Sequence, residues 1–180
     1  LADFMEIARF ALQRAAALGA GQAEAYLNNS KELVVEVRDG QVETMKLARD
    51  RGLGLRVLVG SSAGFAFTTD LSRTAVEDAV RQAINNAASA DPDPHRVLPE
   101  PPPAYPALDL YDPAIRRASV EEKIELARAM ERAARDFDPR VKIIESAAYQ
   151  DAEIDVTLVN SLGVVATYQS AYCGLYLSLV

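Results

Sequence analysis

His95 and Cys173 are the only histidine and the only cysteine in this chain of 180 residues, so metal and nucleophile chemistry would have to start from them. A zinc site needs three or four convergent nitrogen, sulfur or carboxylate ligands. These two residues lie on unrelated stretches, and no H-E-x-x-H pair accompanies them. His95 sits among prolines in a polar segment, where exposure to solvent is expected. Cys173 shares an alternating apolar row with Ala171, Leu175 and Leu177, which predicts a buried, inert thiol. There is no G-x-S-x-G elbow, and a single histidine in a loop leaves a Ser/His/Asp arrangement without its base. Gly52, Gly54, Gly60 and Gly64 lack the spacing of a phosphate loop and do not lead from a strand into a helix, so they read as hairpin glycines. The acidic pairs Glu77-Asp78 and Glu121-Glu122 fall in the first turns of expected helices, where the dipole accounts for them. No catalytic, cofactor-binding or metal-ligating residue is assigned on these grounds. One row remains: Tyr168, Ser170, Tyr172, Gly174, Tyr176 and Ser178 share a strand face. Aromatic and hydroxyl side chains beside a small residue could line a groove for an extended peptide. A solvated sheet face rich in strand-favouring tyrosine has the same pattern.

The elements that would carry these residues follow from hydrophobic period. Phe4, Ile7, Ala8, Ala11, Leu12 and Ala15 recur at helical spacing over residues 1–18, and Gly19 ends that helix. Residues 23–30 read as a strand. The meander after it reads as four more: an alternating run at Leu33, Val35 and Val37, then 41–48, then Leu53 to Val59, then Phe65 and Phe67 beyond a glycine loop at 60–64. Asp39-Gly40 is a two-residue type I′ hairpin signal. A second helix spans 72–90, with Ser72 as N-cap and Val76, Ala79, Val80, Ala83, Ile84 and Ala87 as its apolar face.

Residues 91–113 hold eight of the nine prolines and form an extended connector, read as a surface strap or a binding loop, with Tyr105, Leu108, Leu110 and Tyr111 as its pins. Ser119 and Glu122 form a capping box for a third helix to residue 136, with a stripe of Val120, Ile124, Ala127, Met130 and Ala134. Four further strands are expected over 141–149, 152–159, 163–171 and 172–180, with a turn at Asn160-Ser161-Leu162-Gly163.

The expected fold is α+β: a mostly antiparallel sheet of two meander-like strand groups packed against about three helices. Helix, two strands, tight turn and two strands occur in each half, which suggests an internal αββββ duplication. The halves are 1–90 and 119–180, with 91–118 as connector. Hydrophobic residues at 49% and charged residues at 25% are ordinary for a globular chain. A net charge of −7 argues against a phosphate-binding surface, which needs clustered Lys and Arg. No apolar run is long enough to span a membrane, and Asp3, Glu6 and Arg9 interrupt any signal-peptide core. A lone cysteine fits a reducing compartment, so a cytoplasmic location is expected, with no direct nucleic-acid or membrane partner. A start at Leu1 and an uncapped alternating end at GLYLSLV suggest the N-terminal part of a longer protein.

The segments VEVRDGQVET, RDRGLGLRVLVGSSAGFAFTTDLS, LDLYDP and VNSLGVVATYQS resemble the TldD/PmbA family, often labelled modulators of DNA gyrase, over essentially all 180 residues. PALDLYDP after a proline-rich strap is closer to the PmbA (TldE) branch. The resemblance implies an N-terminal domain, residues 1–180, of a two-domain protein. It implies a TldD-type partner subunit, or pairing with a second copy, and a metalloprotease acting on unfolded peptides, among them a microcin precursor and an antitoxin. TldD-type chains hold zinc through H-E-x-x-x-H and a later cysteine; nothing here matches, and His95 and Cys173 lack that context. The PmbA branch generally carries a degenerate motif. No cofactor is therefore expected in this fragment, zinc being expected in the full-length catalytic subunit. The expected role is to shape the peptide-access cavity and subunit pairing. The rival expectation is a non-enzymatic module that binds and regulates a partner such as gyrase or an antitoxin.

Overall fold

The computed structural model of the protein describes residues 2–180, with side chains from Phe4 onward; Leu1, where the first helix was expected to begin, lies outside them. The elements in chain order are α1 (Ala2–Ala17), β1 (Gln22–Arg38), β2 (Gln41–Val59), β3 (Ser62–Thr68), α2 (Arg73–Ala88), α3 (Ala114–Arg117), α4 (Val120–Phe137), β4 (Ile144–Asn160) and β5 (Val165–Leu179). The strands form one open antiparallel sheet in the order β3-β2-β1-β4-β5. The α+β class is therefore as the sequence implies.

The strand count is not. Nine short strands are expected; the chain builds five, of which β1, β2, β4 and β5 are 17, 19, 17 and 15 residues long. Breaks between strands are expected at residues 31–32, 49–52 and 150–151, but the chain stays extended through them because neighbouring strands satisfy its backbone. The αββββ unit is thus not what is built. What recurs is a helix followed by a long two-stranded hairpin, α1-β1-β2 and α4-β4-β5. The glycine loop also contracts: only Gly60 and Ser61 turn, with Gly60 at φ +59°, and β3 begins at Ser62.

The chain forms two compact units that are not consecutive in sequence. Unit 1 is Leu1–Asn29, Asp50–Leu108 and Asp155–Tyr168; unit 2 is Ser30–Arg49, Asp109–Ile154 and Gln169–Val180. In unit 1, Ala8, Ala11 and Ala15 of α1 and Val76, Val80, Ala83 and Ala87 of α2 bury against Ala23, Ala25, Leu27, Leu53, Leu55 and Val57. Small residues on both helices let them lie close to the strands. Gly64 takes this furthest, since a Cβ there would stand 1.9 Å from the Ala83 carbonyl oxygen and 2.4 Å from the Ala87 nitrogen. The Ser72 hydroxyl caps α2 by accepting from the Ala75 N–H at 3.4 Å.

In unit 2 the core is smaller: Leu33, Val35 and Val37 of β1 and Tyr149 of β4 meet Ala127 and Ile124 of α4. The capping box of α4 forms as expected, Ser119 N–H to Glu122 Oε2 at 2.7 Å and Glu122 N–H to Ser119 Oγ at 3.1 Å. The expected stripe is only half right. Ala127 and Ile124 face inward, but Val120 is exposed, and the other buried positions of α4 are Lys123 and Glu131. Each has a reason to be inside. The Glu131 carboxylate accepts from the N–H groups of Asp39 at 2.8 Å and Gly40 at 2.9 Å, clasping the β1–β2 turn. That turn has φ of 51° and 73° at Asp39 and Gly40, as a type I′ turn requires. Burial pushes the Glu131 carboxyl up, but the Gly40 N–H, Arg135 and the Asp39 N–H outweigh it and hold the group below its ordinary range.

Candidate functional surface

Strand β5 is last in the sheet order, so one of its edges has no strand beside it. The turn that leads into it is shaped by Asn160. Its Oδ1 accepts from the N–H groups of Leu162 and Val164, each at 3.0 Å, its Nδ2 donates to the Pro99 carbonyl at 2.8 Å, and Gly163 takes φ +100°. Edge strands are ordinarily protected by charges, proline or bulges. From Val165 to Leu179 β5 has none of the charged residues and no proline. This absence is readable in the sequence once β5 is known to be an edge, and reasoning from separate short strands missed it.

In unit 2, Tyr172 and Tyr176 of the predicted row are exposed, 50% and 62% accessible. Ser178 Oγ donates to Glu145 Oε2 at 2.8 Å. The opposite row was expected to be buried, with Cys173 inert inside it. Instead Cys173 is exposed and Leu175 and Leu179 are 51% and 43% accessible, because the core under α4 reaches only β1 and β4. Both faces of β5 therefore carry exposed side chains between Tyr172 and Leu179. Tyr168, in unit 1, belongs to the same strand; burial and the neighbouring Tyr168 hydroxyl raise the Tyr26 phenol above its ordinary range.

The outer edge of β5 is met by the strap. The Ala171 N–H donates to the Leu110 carbonyl at 2.9 Å, which lays the end of the proline-rich strap against the strand. Of the four expected pins only Tyr111 is partly buried; Tyr105, Leu108 and Leu110 are exposed, and the buried anchor is Leu98, whose N–H donates to Gln22 Oε1 at 3.0 Å. Tyr111 is tied by its hydroxyl to Glu153 Oε2 at 2.8 Å, the same oxygen that Arg116 Nη2 reaches at 2.6 Å. Burial raises the Glu153 carboxyl, but Arg116, Tyr111 and Lys31 bring it below its ordinary range.

Beneath this surface, Asp151 accepts from the Tyr149 hydroxyl at 2.9 Å and pairs with Lys123 Nζ at 2.5 Å, all three side chains being buried. Burial first, then the bond to Asp151, raises the Tyr149 phenol far above its ordinary range. The other candidates are dispersed. His95 is exposed in unit 1, its N–H donating to Asp93 Oδ1. Glu77 lies beyond the first turn of α2 and pairs with Arg14 and Arg81, each at 2.7 Å. Glu121 and Glu122 do occupy the first turn of α4. Among the described residues no three His, Cys, Asp or Glu side chains converge, so the donor set does not fit a zinc centre, and no step is routed through a metal here. No helix among them is long and apolar enough to cross a membrane.

Comparison with known proteins agrees with this architecture. The profile of domain 1 of the PmbA/TldA metallopeptidases matches residues 23–87, and that of their central domain matches residues 113–180. Metalloprotease PmbA of Escherichia coli is 32% identical over 151 residues, which cover 82% of this chain and 33% of that protein. The metalloprotease PmbA homolog of Haemophilus influenzae is 29% identical over 99% of this chain and 40% of its own length. A Bacteroides thetaiotaomicron protein of known structure, labelled a modulator of DNA gyrase, superposes with a TM-score of 0.86 at 26% identity, over 95% of this chain and 39% of its own. The chain belongs to the PmbA/TldD family. It spans between a third and two fifths of the length of these relatives.

Proposed function

We propose that this chain is the peptide-receiving part of a PmbA-type metalloprotease subunit. In this reading β5 holds an unfolded polypeptide as an added strand, and the chain pairs with a TldD-type subunit or a second copy. The observation that carries the reading is the uncharged, proline-free edge of β5, flanked by Tyr172 and Tyr176 on one face and by Leu175 and Leu179 on the other. Main-chain pairing gives affinity without reading a particular sequence, and side-chain pockets on alternate faces add preference. That combination suits an enzyme that selects substrates for being unfolded.

The test is photo-crosslinking in the whole protein. Benzoylphenylalanine replaces Tyr176 or, as a control, Phe137, which is 86% accessible at the end of α4. With fluorescein-labelled β-casein as the unfolded probe, crosslinks are expected at position 176 and not at 137. Crosslinks that map only outside residues 1–180 overturn the reading. Cleavage of the same probe, with and without chelator, then separates a protease subunit from a module that binds peptide without cutting it.

A further inference from the structure

The strap end at residues 109–112 meets β5 at Ala171, the seventh of its fifteen residues. Hydrogen-bonding groups along a strand alternate between its two edges. The Ala171 N–H points outward, since it meets Leu110. Residues 173, 175, 177 and 179 share its parity, while Val180 points inward, its N–H donating to the Ile143 carbonyl at 2.9 Å. A peptide lying along the whole outer edge of β5 therefore needs the donor that Leu110 now occupies.

What holds Leu110 there is not burial. Leu110 is 42% accessible. The adjacent residue carries the attachment: the Tyr111 hydroxyl bonds Glu153 Oε2, which also takes the Nε and Nη2 of Arg116 at 2.9 and 2.6 Å. The Glu153 side chain is 13% accessible and the Arg116 side chain 63%, so this is an anchored acceptor with an exposed cationic partner. The Arg116 guanidinium also stands 5.7 Å from the Tyr111 ring. One carboxylate on β4 thus ties the strap and the short helix α3 together.

We propose that residues 109–112 are a tethered stand-in strand covering the Ala171 end of the unit 2 stretch of β5, the part read as a peptide-docking edge, and that Glu153 is the latch that keeps them in place. This rests on the reading of β5 as a docking edge. With the latch closed, the unit 2 stretch open to a substrate runs from Cys173 to Leu179. With it open, that stretch takes in Ala171 and a longer segment can pair. The strap then acts as a gate on how much unfolded chain is engaged.

Glu153→Gln and Tyr111→Phe weaken the latch while preserving the size and packing of each side chain. A hydrogen bond to a charged acceptor is worth enough that its loss should speed exchange of the Ala171 amide by about tenfold. Hydrogen exchange read at single-residue resolution in the whole protein measures this without any peptide. Benzoylphenylalanine at position 172, beside Ala171, should then capture labelled β-casein several-fold more in Glu153→Gln than in the parent. Capture at position 176, far along the free stretch, should be the same in both. Unchanged exchange at Ala171 in both variants overturns the latch. Faster exchange with equal capture at position 172 overturns the competition. Absence of capture at position 176 in the parent instead refutes the docking reading itself, so the two failures are told apart.

Discussion

Glu131 offers the sharpest test of how unit 2 is held together. Its carboxylate takes two backbone N–H groups of the β1–β2 turn at 2.8 and 2.9 Å and the Arg135 guanidinium at 2.9 and 3.3 Å, with the side chain almost fully buried. Hydrogen bonds to a charged group contribute about 1.5–3 kcal/mol each. The full sum is not lost on mutation. Asp39 and Gly40 are exposed, so water can take their N–H groups, and Arg135 keeps Asp39 Oδ1 at 2.6 Å. We therefore expect Glu131→Gln to cost about 1–3 kcal/mol and Glu131→Ala about 2–4 kcal/mol, the latter adding a void beside Ala127.

The loss should depend on pH in one direction. The folded pKa of Glu131 lies below its unfolded value of about 4.3. Its contribution is thus complete above that value and is lost as pH falls through the depressed folded value. The gap between parent and Glu131→Gln should shrink between pH 5 and strongly acidic conditions. The chain has no tryptophan, so urea unfolding is best followed by far-ultraviolet circular dichroism, with exchange of the Asp39 and Gly40 amides as the local readout. A cost below about 0.5 kcal/mol at pH 7, or a gap that stays constant into acid, would refute the account of Glu131 as the clasp of the hairpin.

Two further substitutions probe the other packing claims. Gly64→Ala should destabilise unit 1 by about 3 kcal/mol or more, because the new Cβ meets the α2 backbone at 1.9 and 2.4 Å and β3 must move; Gly174→Ala, with nothing within 4 Å, should be near neutral in the same urea titration. Lys123→Met should cost about 3–5 kcal/mol by leaving Asp151 buried without its cation, and adding Asp151→Leu should recover part of that cost, which a double-mutant cycle measures.

Helices and turns were legible in the sequence because their signals are local. Ser119 and Glu122, Asp39-Gly40 and Ser72 each act within a few residues, and all form as expected. Strand continuity was not, because it depends on partners far along the chain. The four places where unit membership changes along the long strands, at residues 29–30, 49–50, 154–155 and 168–169, fall within a few residues of the expected breaks. A strand passing from one core to another loses its apolar alternation there without losing its hydrogen bonds, so period alone reports a turn. Burial of Lys123 and Glu131 was hidden for a related reason. Their partners, Asp151 and the turn amides of Asp39 and Gly40, come from other elements, and without them a buried charge is prohibitive.

The same dependence on partners decides between the two ends of the sheet. β3 is as free of charge and proline as β5, reading SAGFAFT. Yet α2 holds a group of its backbone. Asn86 Nδ2 donates to the Phe65 carbonyl at 2.8 Å, from a helix that packs closely on the face of β3 over Gly64. A polypeptide adding to that strand would have to displace the Asn86 bond, which comes from a helix that cannot withdraw without exposing Val76, Val80 and Ala83. On β5 the bond comes from the main chain of an exposed strap residue, Leu110, whose neighbour Tyr111 bonds the Glu153 carboxylate. An edge protected by a packed helix is closed for good, at a cost of several buried side chains to open. In the proposed reading an edge protected by a strap is closed conditionally, and it is that edge which receives the peptide.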